Sequence, residues 1–290
     1  MAFTPLLATT PKRPEGTFFS PAGLTVMLRD QFTITTWLAF GALVQGAALL
    51  LLGRMALVPA FAYLIIGALD TFLMTVGWRR NKFMDGVLVK KFAAVIPDAK
   101  GDYGGKPADK DLVVFHIGTR NNHPLGILAP GFREEAVYFA NMVKALEEQS
   151  EEYGMLGQTS WLNSNARSTG NETLAVYYFR DIEGLHKFAH SEHHTKAWQW
   201  WNKHTKQYPH LSIYHETFSV PKANWETIYV NSHVGHLASA SIRTEDEMTG
   251  EVKWMSPVVD AKKGVLTSAA GRMARSQGSD HEGMNLVDPY

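Results

Sequence analysis

DLVVFHIGTRNNHPLGILAPGF, residues 111–132, decides how the chain is read. Leu112, Val113, Val114, Phe115 and Ile117 form an apolar, β-branched run of strand length, interrupted by His116. Arg120, Asn121, Asn122 and His123 follow, all polar and all able to hydrogen-bond. Pro124, Gly126, Pro130 and Gly131 then break regular structure before a long amphipathic helix. Strand alternation places Val114, His116 and Gly118 on one face and Phe115, Ile117 and Thr119 on the other. His116 is therefore expected to line a pocket. Arg120–His123 lie past the strand end, where they either serve the site or fix the loop through bonds to backbone.

Downstream the pattern alternates. A helix is expected over Gly131–Tyr153, with Phe132, Ala136, Phe139, Met142, Val143 and Leu146 at helical spacing. Strands are expected at Met155–Leu162 and Thr173–Phe179, joined by the turn-rich loop Asn163–Glu172. A helix over Ile182–Tyr208 and a strand at Leu211–Val220 complete a β-α-β-β-α-β order. That is the ferredoxin-like, α+β arrangement. A further short strand at Glu226–Asn231 is expected to exchange with a partner or to extend the sheet, in a domain spanning residues 111–231.

Upstream, Phe32–Leu52 carries no charge, and Ala56–Trp78 carries one, Asp70. About 20 apolar residues cross a bilayer, so residues 32–52 and 56–78 predict a two-helix transmembrane hairpin over 32–78. Lys12, Arg13 and Arg29 precede it, Arg79, Arg80 and Lys82 follow it, and Arg54 alone sits in the turn. Both ends then face the cytosol, with Trp37 and Trp78 at the interface. Asp70 is expected to bond locally, to Thr35 or Thr36, or to meet another subunit. Residues 1–31 read as a flexible tail and 79–110 as a linker. Within that linker Val87–Ile96 reads as a short helix on the membrane surface. Residues 232–290 are polar and rich in Ser and Gly, and read as largely disordered.

The net charge is +0, which gives no electrostatic case for a nucleic-acid partner. The chain has no cysteine, so disulfides, thiolate metal sites and a cysteine nucleophile are excluded. Twelve histidines and eight tryptophans concentrate attention on GLHKFAHSEHHTKAWQWWNKH, residues 184–204. As one helix it would gather His186, His190, His193, His194 and Trp201 within about a third of its circumference, with Trp198 to one side. Three chemistries compete for it. His190 and His194 at i,i+4 could share a metal, but HSEHH is not HExxH and no acidic ligand is placed, so no metal site is expected. One histidine could ligate haem. Or a histidine could orient or deprotonate an organic substrate. The expected pocket has His116, Trp161 and Tyr178 on the sheet. The helix bearing His190, His194, Trp198 and Trp201 closes it, and Arg120 and Asn121 stand at the mouth. His116, His190 and His194 are the candidate catalytic groups; the others would bind substrate.

FAHSEHHTKAWQWW and VVFHIGTRNNHPLGILAPGF resemble sequences of the antibiotic-biosynthesis-monooxygenase group of dimeric α/β-barrel proteins. More closely, the chain is similar to a fungal and bacterial family of monooxygenase-like proteins. Some fungal members of that family belong to secondary-metabolite clusters, the fumagillin cluster among them. The resemblance spans about Leu112–Val220. It implies a barrel closed by two copies, hence a homodimer, and a monooxygenase using O2 as co-substrate on a lipophilic terpenoid or polyketide intermediate. It leaves open cofactor-free chemistry, a haem enzyme akin to aldoxime dehydratases, or a non-enzymatic lipid-binding module. With the hairpin, it predicts a two-pass protein of the endoplasmic reticulum with a cytosolic domain in contact with membrane lipids.

Overall fold

The computed structural model describes residues 3–14, 21–164, 170, 172–246 and 249–276. Helix α1 (Pro21–Asp30) leads to α2 (Ile34–Leu52), which Thr33 caps by accepting a hydrogen bond from the Thr36 backbone N–H at 3.1 Å. A 3-10 turn over Gly53–Leu57, begun by Gly53 at φ 58°, separates α2 from α3 (Val58–Thr75). The 42 residues Ile34–Thr75 are long and apolar enough to cross a membrane, and 6% of their most apolar window is buried. Asp70 bonds neither Thr35 nor Thr36. It pairs with Arg79 and, at 2.9 Å, with Lys82.

Next come β1 (Val87–Ala94), β2 (Leu112–Asn121), α4 (Phe132–Glu148), β3 (Met155–Leu162) and β4 (Thr173–Phe179). After them lie α5 (Ile182–Ala189), α6 (Glu192–His204) and β5 (Leu211–Val220). Strands β2 to β5 form one antiparallel sheet in the order β3-β4-β2-β5, the ferredoxin-like order anticipated above. Its helix-facing side buries Val113, Ala175, Tyr177 and Phe179 against Leu146, Leu185 and Phe188. Of the loop joining β3 to β4, residues 165–169 and 171 lie outside the described residues.

The expected single helix over Ile182–Tyr208 is two. Asp181 caps α5, Ser191 caps α6, and His190 sits at the break with exposed side chain. A serine followed by an acidic first turn is a helix start, and here it outweighs the histidine and tryptophan periodicity that runs across it.

The chain after residue 231 does not trail away. The strand expected at Glu226–Asn231 appears as β6 (Tyr229–His233), and the chain after it supplies β7 (Ile242–Glu245), β8 (Val252–Met255), β9 (Val258–Asp260) and α7 (Ala269–Arg272). Strand β1, expected as a surface helix, lies between β6 and β9. Its Phe92 is fully buried and stacks on Tyr229 with ring centroids 4.9 Å apart. Residues 3–14 are not a loose tail either: the Leu6 N–H donates to Val258 O at 3.0 Å and the Thr10 N–H to Trp254 O at 2.9 Å. Arg13 then donates to the carbonyls of Met155 and Leu156 at 3.2 and 3.0 Å and lies over the Trp254 ring. This second unit covers the β3–β4 half of the sheet face turned away from the helices. There Leu156, Val176 and Tyr178 pack with Ile96, Trp225, Leu237, Ala240 and Ile242. Residues 277–290, also expected to be disordered, lie outside the described residues.

Gly131, just before α4, has φ 81°, and a Cβ there would meet the Tyr208 ring. Left-handed backbone costs a non-glycine residue about 1–2 kcal/mol before any clash. Gly131→Ala is therefore expected to lower the unfolding free energy by at least that amount, read from a denaturant melt.

Candidate functional site: a groove between sheet and helices

The β2–β5 ladder pairs Ile117 with His215 and Thr119 with Ile213, and all four side chains point to the helix side. Helix α6 is held beside α4, with the rings of Trp200 and Tyr138 5.5 Å apart. It leaves β5 uncovered: Ile213 and His215 remain exposed, and Phe115 and Ile117 are half-buried. The helix side of the sheet thus keeps an open groove along β5, beside α6, floored by Phe115, Ile117 and Ile213.

Each end carries one titratable group in an unusual setting. At one end Glu135, from the first turn of α4, is 7% exposed. Thr119 Oγ1 donates to its Oε1 at 2.8 Å, and its Oε2 is buried with no partner among the described residues. Burial pushes this carboxyl up to about 7, against the Thr119 hydrogen bond and the nearby His210, which favour the charged form. At the other end His194 is half-buried, with its ring 5.8 Å from that of Phe188. Its Nδ1 is buried and unpartnered among the described residues. Burial lowers its pKa, and His215 and His190 lower it further, while the nearby Ala189 backbone raises it. Near neutral pH this site therefore offers a carboxyl poised between its two forms and an uncharged imidazole. Both suit proton transfer.

The residues singled out from sequence divide between two faces. His116, Trp161 and Tyr178 lie on the face turned away from α4 to α6. His116 Nδ1 is 3.8 Å from Glu216 Oε2, Trp161 stacks on His236 at 4.9 Å, and Tyr178 is buried in the core beneath the C-terminal unit. His194, Trp198 and Trp201 are on α6, on the helix side of the sheet. Trp201 borders a narrow crevice with Leu211 and Tyr208, and Trp198 is 59% exposed. His190 directs Nδ1 to the His186 carbonyl, 2.7 Å away. One pocket uniting His116 with the histidine helix does not form within a single chain, because the sheet lies between them. Asn121 spends both ends of its amide on the loop, donating to Gly126 O at 2.5 Å and accepting from His123 N–H at 3.0 Å. Arg120 is half-buried, and its Nε is buried without a partner among the described residues. Among the described residues no group of His, Asp and Glu is arranged to hold a metal ion.

Residues 112–237 match the family model described as monooxygenase af470-like. Monooxygenase af470 of Aspergillus fumigatus is 34% identical over 272 residues, which cover 93% of this chain and 97% of that protein. The chain belongs to the monooxygenase af470-like family. It is an enzyme, an oxidoreductase of the monooxygenase type. Among solved structures, SnoaB, a cofactor-independent oxygenase from Streptomyces nogalater, aligns over 39% of this chain and 95% of its own. Identity there is 10% and the TM-score 0.27. An aldoxime dehydratase in complex with butyraldoxime aligns over 51% of this chain and 42% of its own, at 14% identity and a TM-score of 0.36. At these scores neither neighbour informs the chemistry of this family member. Glu135 and His215 were not among the residues chosen from sequence. His215 was legible as a polar residue in the last strand, but Glu135 looked like an ordinary acidic residue at a helix start.

Proposed function

We propose that this monooxygenase is a two-pass membrane protein that oxidises a lipophilic terpenoid or polyketide intermediate of secondary metabolism in the groove above. Three observations support the membrane reading. Residues 3–14 and β1 flank the apolar segment, and both are built into the same folded unit, through Val258 and Trp254 on one side and β6 and β9 on the other. A membrane-crossing segment so flanked would leave and return on one side, which favours an even number of crossings. At 1.5 Å per residue, 42 helical residues would reach about 63 Å, twice the hydrocarbon thickness. Gln45 Nε2 donates to Ala56 O at 2.9 Å, too far along a straight helix for one side chain, so the turn after Gly53 folds back toward α2, as a hairpin would require. The flanking arginines and lysines favour a cytosolic domain, on the endoplasmic reticulum in our reading.

Glu135 carries the chemical reading. As a carboxylate it takes a proton, relayed through the Thr119 hydroxyl that bonds it, from an acidic C–H or O–H of the substrate, and the resulting carbanion or phenolate reacts with O2. For an activated methylene the balance is one methylene group and one O2 in, one ketone carbonyl and one water out. The methylene carbon gives up four electrons and both hydrogens, and O2 takes them, one oxygen atom staying on carbon and the other leaving as water. A hydroxylation would instead need two electrons and two protons from an external reductant. His194, uncharged, is suited to receive and return the proton of the peroxide intermediate. A second copy of the chain, packed on the open sheet face where Tyr214 and Phe218 are exposed, would complete a barrel as a homodimer and bring His116 under cover.

Haem is the second reading, favoured by one observation: His194, beside the apolar ring of Phe188, has a ring nitrogen without a partner among the described residues, and by turning out of its buried position it would serve as an axial ligand. Haem would supply oxygen activation or dehydratase chemistry at that end of the groove. The two readings separate in one preparation. Purified protein is expected to turn over lipophilic β-dicarbonyl or phenolic substrates under oxygen and not under argon, without a Soret band. A Soret band that disappears in His194→Ala would establish haem instead, and equal turnover in both gases would exclude the oxygenase chemistry.

A further inference from the structure

We propose that the loop between β2 and α4 is seated in the surface of the lipid bilayer, and that its apolar tip admits substrate from the bilayer into the groove. The proposal rests on the membrane reading above.

The loop is tied to the start of the apolar segment. Gln31 Nε2 donates to Leu125 O at 3.0 Å, and the Ile127 N–H donates to Gln31 Oε1 at 3.2 Å. Helix α2 begins only three residues after Gln31, at most about 11 Å of chain. The rings of Phe32, Trp37 and Phe40 cluster edge to face there, 5.4 and 5.6 Å from Phe32, and Trp37 Nε1 donates to Arg29 O at 2.9 Å. Such an aromatic cluster, with a polar handle, belongs at the level of the lipid headgroups. Gln31 therefore fixes the loop at that level.

The loop is also apolar where it should be polar. Leu125 is 53% exposed and Leu128 is 74% exposed, on either side of the Gln31 clamp. Water is a poor neighbour for two such leucines, and lipid is a good one. The loop is held in shape from within: Asn121 bonds Gly126 O and His123 N–H, and His123 Nδ1 accepts from the Leu125 N–H at 3.1 Å. Gly126 has φ 54°, and a Cβ there would run into the Gln31 amide, so the clamp requires glycine. A rigid loop with leucines outward is built for contact with a surface, not for mobility.

Finally, the loop forms the lip of the groove. It leaves β2 two residues after Thr119 and enters α4 three residues before Glu135. A lipophilic molecule crossing Leu125 and Leu128 would arrive beside the Thr119–Glu135 pair without passing through water.

The absence of cysteine makes the test direct, because single-cysteine reporters need no background changes. Leu128→Cys, Val137→Cys on the exposed side of α4, and Val44→Cys within α2 are each labelled with an environment-sensitive fluorophore in the full chain. The proteins are reconstituted into phosphatidylcholine–phosphatidylserine vesicles. Labels at 128 and 44 are expected to be quenched by doxyl-labelled lipid, and the label at 137 by aqueous iodide alone. Iodide quenching alone at 128, with lipid quenching kept at 44, would overturn the seating and leave the membrane reading standing. Iodide quenching at 44 as well would overturn both. For passage, the Leu125→Glu, Leu128→Glu double variant is expected to lose rate severalfold on substrate delivered in vesicles and to regain it on substrate delivered in detergent micelles. A wild-type rate from vesicles would overturn the portal.

Discussion

Glu135→Gln is expected to lower kcat by about 10²–10⁴-fold, the usual contribution of a positioned general base. The substitution keeps the acceptor for the Thr119 hydroxyl and removes only the capacity to take a proton. A base must be deprotonated to work, so the wild-type rate should rise with pH through about 7, the value to which burial pushes this carboxyl. The variant should lose that limb. Stability moves the opposite way. A carboxyl whose folded-state pKa lies above its unfolded value favours the fold fully below the unfolded pKa. That contribution fades as pH rises through the folded value, here between 4.5 and about 7. Above pH 7 the wild type bears a buried charge that glutamine lacks. Glu135→Gln should then be the more stable protein, by up to about 3 kcal/mol. Denaturant melts at pH 4 and pH 8, set beside the rate profile, check both signs. A merely structural role for Glu135 would move stability without removing the limb.

Arg272→Met is expected to destabilise the whole molecule by about 3–5 kcal/mol, the usual effect of breaking a buried ion pair from one side. Arg272 is buried and bonds Glu226 Oε2 at 2.5 Å, Leu266 O at 3.0 Å and Thr267 O at 3.2 Å. Removing it leaves Glu226 and two carbonyls without their donor, and loosens the unit that covers Leu156, Val176 and Tyr178. A single cooperative transition, shifted to lower denaturant, is the expected result. An unchanged midpoint would mean that residues 232–276 contribute nothing to the folded body.

What could be read from sequence depended on range. The ferredoxin-like sheet was legible because each strand carries its own alternation and the intervening helices their own period; β3, β4 and β5 have the expected bounds, and β2, expected over Leu112–Gly118, runs on to Asn121. The break at Ser191 was legible too, as a capping signal, but the aromatic periodicity across it concealed the cap. The C-terminal unit was not legible. Its strands are three to five residues long, too short to carry an alternation, and β1 finds its partners β6 and β9 more than 130 residues away. No local pattern reports such pairings. The same holds for the groove. The burial of Glu135 is created by Thr119 and the sheet beneath it, and His116 was separated from His194 by the sheet itself. Alternation gave the face of His116 correctly and could not say which face the helices would cover.

The most direct test of the account uses no oxygen. Under argon in heavy water, wild-type protein is incubated with a lipophilic substrate bearing an acidified C–H, and deuterium incorporation is followed by mass spectrometry. The groove chemistry predicts enzyme-catalysed exchange at that carbon, lost in Glu135→Gln and kept in His116→Ala. No exchange by a wild-type enzyme that turns over the same substrate in air would contradict it.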